Sequence, residues 1–131
     1  MNGRDGPGSN GAIRVVLADD DADYLQSIRA LVDGLPELHV VGSALDGLRV
    51  IELADELDPD AAVVDLHMPL LDGVAACARL RRDHPQLCLI ALTGDPSRDL
   101  HEAAREAGAD AVLLKGDLVE RLVERLGSLR R

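Results

Sequence analysis

Short apolar runs alternate with segments of helical periodicity along almost the whole chain. The runs are IRVVLA, HVVGS, AAVVDL, LCLIALT and AVLL. After the first run, apolar residues recur at Leu25, Ile28, Leu31 and Val32, which is the spacing of one helix face. The last run is followed in the same way by Leu118, Val119, Leu122, Val123 and Leu126. The pattern therefore predicts five strand–helix units.

The order and character of these units predict the fold class. Continuously apolar strands are typical of a parallel sheet that is covered by helices on both faces. Strict alternation of strand and helix favours the same arrangement, with right-handed crossovers. We therefore predict an α/β fold with a doubly wound, five-stranded parallel sheet in the order 2-1-3-4-5, a flavodoxin-like (βα)5 fold. Its ligand crevice would lie at the carboxyl ends of the strands, between the first and the third.

Length and local composition predict how the chain is divided. A chain of 131 residues suits a single domain. Its start, MNGRDGPGSNGA, is rich in glycine and has no apolar periodicity, so residues 1–12 are predicted to form a flexible tail and residues 13–131 the folded domain. Because the chain has one Tyr and neither Phe nor Trp, the core must be built from Leu, Val, Ile and Ala.

Charge and cysteine content exclude several classes of function. The net charge of −10 disfavours direct binding to nucleic acids and to anionic membranes, because both depend on basic residues. The longest apolar stretch, LCLIAL, is too short to span a membrane, so we expect a cytoplasmic protein. Cys77 and Cys88 form no CxxC motif and have no paired histidine, so we expect free thiols rather than a disulfide or a zinc site.

Polar side chains stand where the predicted strands end. The first strand ends in the acidic residues 19–21, the third at Asp65, the fourth at Thr93 and the fifth at Lys115. Because the carboxyl ends of parallel strands meet at one edge of a sheet, we expect these side chains to converge on the crevice. Asp21 or another acid nearby, Asp23, is expected to cap the first helix.

This set of residue types is typical of phosphoryl transfer. Crowded carboxylates repel one another unless a cation lies between them, and oxygen ligands in an open crevice suit Mg²⁺. One carboxylate can attack phosphorus and carry an acyl phosphate. A lysine ammonium would neutralise phosphoryl oxygens, and a threonine hydroxyl would donate to one of them. The sequence therefore predicts a magnesium-dependent phosphoryl-transfer site.

The same residues resemble the signatures of the response-regulator receiver domain of two-component signalling. The segment VLADDDADYL resembles the acidic pair of that family, and ALTGD and VLLK resemble its threonine and lysine signatures. The segment VVDLHMPLLDG resembles its phosphoacceptor segment, with proline four and glycine eight residues after the aspartate. The resemblance covers about residues 13–126, and its strength comes from four motifs in the right order.

The resemblance implies a role for each residue of the metal site. Asp65 would be the phosphoacceptor and would also bind Mg²⁺. Asp20 would bind the metal directly, Asp19 would support it through water, and the backbone carbonyl of His67 would supply a further protein ligand.

The resemblance also implies how the domain would work with its partners. Thr93 would follow the phosphoryl group, and Lys115 would pair with it. A histidine kinase or a phosphotransfer protein would supply the phosphoryl group. The domain would catalyse only its own phosphorylation and dephosphorylation, so it would not be a turnover enzyme. Phosphorylation would remodel the last two strand–helix units, whose surface would bind a downstream protein or a second copy.

Two positions depart from the pattern of this family. Many receivers carry Tyr or Phe three residues before the lysine, and here that position is Val112. Many relatives also have proline after the lysine, whereas this chain has Gly116. Switching through an aromatic ring at position 112 is therefore excluded, and the loop after Lys115 is free to take another turn.

Two alternatives remain open on the sequence alone. A receiver-like interaction module that does not use phosphate would bind its partner equally well with Asp65→Asn, and Val112 favours it. A haloacid-dehalogenase-type phosphatase would use Asp19 as its nucleophile within DDDAD. That second alternative leaves Asp65 without a role, and 131 residues leave no room for a cap domain.

Overall fold

The computed structural model describes residues 11–117, 121 and 124–126. The first half of the domain contains β1 (Ile13–Ala18), α1 (Ala22–Asp33), β2 (Leu38–Ala44), α2 (Gly47–Leu57) and β3 (Ala61–Asp65). The second half contains α3 (Gly73–Asp83), β4 (Cys88–Thr93), α4 (Arg98–Glu106), β5 (Ala111–Leu114) and a 3₁₀ turn (Lys115–Asp117). Residues 121 and 124–126 are also helical. Leu118, Val119, Leu122, Val123 and residues 1–10 of the predicted tail lie outside the described residues.

The strands form one parallel sheet in the order β2-β1-β3-β4-β5, which confirms the predicted topology. The register brings the carboxyl ends of the central strands to the same edge. Asp65 at the end of β3 pairs with Leu92 of β4, and the next residue, Thr93, pairs with Leu114 at the end of β5. A crevice at this edge is therefore lined by residues that are far apart in the sequence.

Helices cover both faces of the sheet and bury most of the strand residues. Every residue of β3 is buried, and the described core consists almost entirely of Leu, Val, Ile and Ala side chains, with Met68 and Cys77. The core is divided into two clusters, one on each side of the sheet. This arrangement explains why the strands are continuously apolar. It also makes Asp65, at the end of a fully buried strand, an unusual residue.

Of the helices α1 to α4, three begin with an aspartate cap. The carboxylates of Asp21, Asp46 and Asp72 accept hydrogen bonds from backbone N–H groups in the first turns of α1, α2 and α3. The prediction of a cap at Asp21 or Asp23 is confirmed for Asp21. Some of the acidic residues of the chain thus cap helices, and only some of them lie in the crevice.

Arg81 on α3 ties together the two loops that precede β4 and β5. Its guanidinium donates from Nε to the carbonyl of Gly108 (3.0 Å) and from Nη1 to the carbonyls of Pro85 (3.0 Å) and Leu87 (2.9 Å). Its Nη2 donates to the carboxylate of Asp110 (2.8 Å), which also accepts from the N–H of Leu89. One side chain therefore supplies hydrogen bonds to three backbone carbonyls.

We expect Arg81→Met to lower the free energy of unfolding by about 3 kcal/mol, because it removes several hydrogen bonds from a charged donor and keeps the aliphatic stem. The neighbouring Arg82 is the matched control. Its side chain is 71% exposed, against 25% for Arg81, and among the described residues it pairs with the adjacent Asp83 alone. Urea unfolding of both variants checks the expectation, and an equal loss in Arg82→Met would contradict it.

Candidate functional site

Three carboxylates from two strands meet at the predicted edge of the sheet. Asp19 and Asp20 follow β1, Asp65 ends β3, and each contributes an oxygen to a group that lies within 4.8 Å. Asp19 and Asp65 are buried, at 1% and 2% exposure, whereas Asp20 is exposed. The prediction that these acids converge is confirmed.

Lys115 brings a positive charge into this acidic group. Its Nζ lies 2.8 Å from Oδ2 of Asp19 and 3.4 Å from Oδ2 of Asp65. The contact with Asp65 is a hydrogen bond, while the contact with Asp19 is a close ion pair without hydrogen-bond geometry. Among the described residues, Oδ2 of Asp19 is accordingly a buried oxygen without a hydrogen-bond donor. Lys115 thus partly neutralises the site through close contacts with both buried carboxylates.

The remaining oxygens on the buried acids are held by the backbone. The N–H of Asp21 donates to Oδ1 of Asp19 (2.9 Å), and the N–H of His67 donates to Oδ1 of Asp65 (3.1 Å). These bonds fix the carboxylates in one orientation, with Asp65 presenting Oδ2 toward Lys115. The side chain of His67 is exposed, and its predicted role as a carbonyl ligand stays a prediction.

Burial raises the pKa of Asp65 above its ordinary value, and the charge of Asp19 raises it further. The hydrogen bond from His67 and the charge of Lys115 act in the opposite direction and are outweighed. Burial alone would lower the pKa of Lys115, but its contacts with the carboxylates of Asp19 and Asp65 raise that pKa overall. Lys115 therefore stays charged, while the ionised form of Asp65 lacks full compensation.

This imbalance predicts a pH-dependent effect of Asp65→Asn on stability. The raised pKa means that the folded state binds the proton of Asp65 more tightly than the unfolded chain does. Ionisation of Asp65 therefore costs stability, and the cost grows as the pH rises from 3.8, its ordinary pKa, through the raised value. Without Mg²⁺, we expect Asp65→Asn to be more stable than wild type at neutral pH, with the difference vanishing near pH 3.8.

Thermal unfolding at several pH values checks this expectation. Asp72→Asn is the matched control, because Asp72 is an exposed cap on α3 and asparagine caps a helix equally well. A loss of stability at neutral pH in Asp65→Asn would contradict the expectation.

Thr93 is fully buried at the end of β4, beside the end of β3. Its Oγ1 accepts a hydrogen bond from the N–H of Asp95 (3.0 Å), and the carboxylate of Asp95 in turn accepts from Ser97 (2.9 Å). Since the hydroxyl oxygen is already an acceptor, its own proton remains available for another group.

The acidic group fits a magnesium ion. Mg²⁺ prefers oxygen ligands and keeps several waters, which requires a site that is partly open. The exposed carboxylate of Asp20 gives that opening, and Oδ2 of Asp19 is a buried acceptor that receives no hydrogen bond among the described residues. The donor set therefore suits the ion that the sequence predicts.

The sequence did not reveal one further contact at the site. The ring of Tyr24, on the first turn of α1, lies 4.6 Å from Nζ of Lys115. Its hydroxyl donates to the carbonyl of Lys115 (3.4 Å). The available signal was the position of the only tyrosine in the chain, close after the acidic run.

Comparison with known proteins decides the family. The family model of the response regulator receiver domain matches residues 15–127. The chain belongs to the response regulator receiver domain family. The predicted family is confirmed, and the four motifs from which it was predicted lie where the receiver fold brings their residues together.

Individual relatives agree with this assignment. The receiver domain is 38% identical to the transcriptional regulatory protein PrrA of Mycobacterium leprae over 120 residues, which cover 90% of this chain and 50% of PrrA. The chain thus spans about half the length of the curated relatives it matches. In the part of the receiver domain that the structure describes, no helix is long and apolar enough to cross a membrane.

Solved structures agree as well. The response regulator domain of Thermotoga maritima CheB is 27% identical, with a TM-score of 0.83 and coverage of 91% of this chain and 96% of that one. The isolated receiver domain of RcsB from Salmonella enterica serovar Typhimurium, solved in the presence of the phosphomimetic BeF₃⁻, is 26% identical, with a TM-score of 0.82 and coverage of 91% and 88%.

Proposed function

We propose that this receiver domain is a phosphorylation-activated signalling switch, in which Asp65 accepts a phosphoryl group from a partner histidine kinase or phosphotransfer protein. One observation carries the proposal. The carboxylate of Asp65 is buried at a strand end, directed at the ammonium of Lys115 and grouped with two further carboxylates. A stability requirement alone gives no reason to crowd three acids at one point.

In the proposed site, Asp20, Asp65 and the carbonyl of His67 would hold Mg²⁺ directly, and Asp19 would support it through water. The ion would supply positive charge that offsets the carboxylates and the incoming phosphoryl oxygens. Two observations support this assignment: Oδ2 of Asp19 receives no hydrogen bond among the described residues, and the side chain of Asp20 is exposed.

The residues of the chain itself would arrange the transfer. A carboxylate oxygen of Asp65 would form a bond to phosphorus while the bond from phosphorus to the imidazole nitrogen of the partner breaks, and the imidazole would leave with the electron pair and take up a proton. Lys115 would pair with a phosphoryl oxygen as a point charge. Thr93, whose hydroxyl proton is available, would donate to another phosphoryl oxygen. The domain would catalyse only this transfer and the later hydrolysis of the aspartyl phosphate, in which water takes the phosphoryl group and the carboxylate is regenerated.

Signalling would use the surface of the last two strand–helix units, where a downstream protein or a second copy of the domain would bind. A phosphorylation-dependent mode of signalling is supported by the similar receiver domain of RcsB, which was solved in the presence of a phosphomimetic. PrrA, which is about twice as long, is named a transcriptional regulatory protein. The net charge of −10 disfavours direct contact of this chain with nucleic acid, and a cytoplasmic location suits such a partner kinase.

Intact mass tests the proposal after incubation with Mg²⁺ and acetyl phosphate. We expect wild type to gain one phosphoryl group, Asp65→Asn to gain none and the control Asp72→Asn to behave as wild type. The control retains a helix cap near the site, so it separates loss of the acceptor from general damage. A gain in Asp65→Asn would contradict Asp65 as the acceptor.

A phosphate-independent interaction module is the second candidate, and Val112 favours it. This residue lies half-buried in β5 and packs against the core, so it offers no ring that could move with Thr93. The two candidates differ in the same experiment. The second one predicts no gain of mass in wild type, and partner binding that Asp65→Asn leaves unchanged.

A further inference from the structure

Tyr24 and Lys115 form a contact between the first helix and the end of the last strand. The ammonium of Lys115 lies over the ring face, 4.6 Å from its centroid, and the hydroxyl of Tyr24 reaches the carbonyl of the same lysine at 3.4 Å. The two residues are 91 positions apart. Tyr24 is therefore in contact with both ends of the one residue that brings positive charge into the acidic group.

Lys115 needs such support more than most side chains. A lysine side chain is flexible and its ammonium is a point charge without directional preference. Gly116 follows it, is exposed and has no atom within 4 Å of the place a Cβ would occupy. The peptide bond between Lys115 and Gly116 is therefore restrained neither by a proline ring nor by side-chain packing at position 116. Apart from the two carboxylates and Tyr24, no described residue contacts the ammonium in the hydrogen bonds, ion pairs and ring contacts of the structure.

We propose that Tyr24 is a positioning residue for Lys115, and that its ring holds the ammonium at the crevice during phosphoryl transfer. The inference rests on the proposed function for the transfer step. An ion pair with Asp19 or Asp65 changes when a phosphoryl group arrives, because the charges around the ammonium change. The attraction to the ring face remains, since it depends on the charge of the ammonium and the quadrupole of the ring, and the phosphoryl group removes neither.

The location of Tyr24 explains why this residue can act. It lies on the first turn of α1, whose start is fixed by the cap at Asp21, and that residue directly follows Asp19 and Asp20. The ring is thus anchored to the loop that carries these two acids. The contact with the ring therefore ties Lys115 to the same loop.

A purely structural role is the competing explanation, because Tyr24 also packs against the second core cluster. Two variants separate the contribution of the Tyr24 ring from that of its hydroxyl. Tyr24→Phe keeps the ring and removes the hydroxyl, and Tyr24→Leu keeps apolar packing and removes the ring. Circular dichroism establishes that each variant is folded at the temperature of the assay.

The first measurement is independent of phosphate. Lys115 is the only lysine in the sequence, and Tyr24 is accompanied by neither Phe nor Trp. Protein labelled with ¹³C-lysine therefore gives one set of ε-methylene signals in its NMR spectrum. We expect these signals to be shifted upfield by the ring in wild type and in Tyr24→Phe, and to move to an ordinary position in Tyr24→Leu. Lysine ε-methylene signals without an upfield shift in all three proteins would contradict the contact between Lys115 and the ring of Tyr24.

The second measurement is the rate of phosphorylation by acetyl phosphate with Mg²⁺. We expect Tyr24→Leu to be slower than wild type by roughly fivefold, the effect of one cation–π contact of moderate strength, and Tyr24→Phe to stay close to wild type. In the background of Lys115→Met, Tyr24→Leu should change the rate by less than roughly twofold, because the group it positions is absent.

Each other outcome has a definite meaning. The same slowing in the Lys115→Met background would make Tyr24 a structural residue and overturn the proposal, as would a Tyr24→Leu rate equal to wild type. A wild type that takes no phosphoryl group would overturn the proposed function and the kinetic effect of Tyr24. The lysine signals would then still decide whether Tyr24 holds Lys115.

Discussion

Lys115→Met is expected to slow phosphorylation by acetyl phosphate by roughly a hundredfold, the size of effect seen when one preorganised electrostatic contact is removed from a reaction site. Lys115 is the group that would neutralise a phosphoryl oxygen, and methionine keeps the length of the side chain without its charge. The same variant is expected to bind Mg²⁺ more tightly than wild type. In wild type the ammonium competes with the metal for Asp19 and Asp65, and the variant lacks this competitor.

These opposite directions make the test specific. Phosphorylation kinetics followed by intact mass and isothermal titration with Mg²⁺ supply the two measurements. Lys115→Arg is the matched control, because it keeps the charge but replaces a compact ammonium with a planar guanidinium. We expect Lys115→Arg to fall between the other two proteins in both measurements. Slower phosphorylation together with weaker Mg²⁺ binding in Lys115→Met would contradict the role given to Lys115, because loss of both activities is the result expected from a disrupted fold.

Gly73→Ala is expected to lower the free energy of unfolding by about 3 kcal/mol or more, because the new methyl group overlaps backbone atoms that cannot move aside easily. A Cβ at this position would lie 2.2 Å from the carbonyl oxygen of Asp65 and 2.3 Å from Cα of Leu66. The N–H of Gly73 also donates to the carbonyl of Leu66 (3.1 Å). The end of β3 must therefore shift, and the carboxylate of Asp65 shifts with it.

Gly94→Ala is the matched control for this prediction. Gly94 follows Thr93 at the same edge of the sheet, is exposed and has no atom within 4 Å of the place a Cβ would occupy. We expect its free energy of unfolding to stay within about 0.5 kcal/mol of wild type. Urea unfolding of both variants gives the comparison. Equal stability of Gly73→Ala and Gly94→Ala would show that β3 and α3 do not pack as closely as described.

Local sequence patterns predicted the fold and the acidic group for a clear physical reason. Strand positions follow from short apolar runs, and a parallel sheet brings the residues after those runs to one edge whatever their distance in sequence. Asp65 and Thr93 could be placed beside each other for that reason alone. The register of β3 and β4 confirms their placement.

Contacts that depend on how helices rotate and cross were not predictable in the same way. The ring of Tyr24 meets Lys115 only because α1 presents that face to the end of β5. The guanidinium of Arg81 meets three carbonyls on two separate loops, and no local pattern marks the residue. Gly73 could be recognised from its motif, but the closeness of its backbone to Asp65 required coordinates.

Locating the phosphorylated residue tests the central claim most directly. After incubation with Mg²⁺ and acetyl phosphate, reduction with borohydride converts an aspartyl phosphate into homoserine, and peptide mass spectrometry then identifies the residue that was modified. We predict homoserine at Asp65 alone. Homoserine at Asp19 would contradict the assignment and favour a phosphatase-type nucleophile, and its absence from the whole chain would contradict phosphorylation itself.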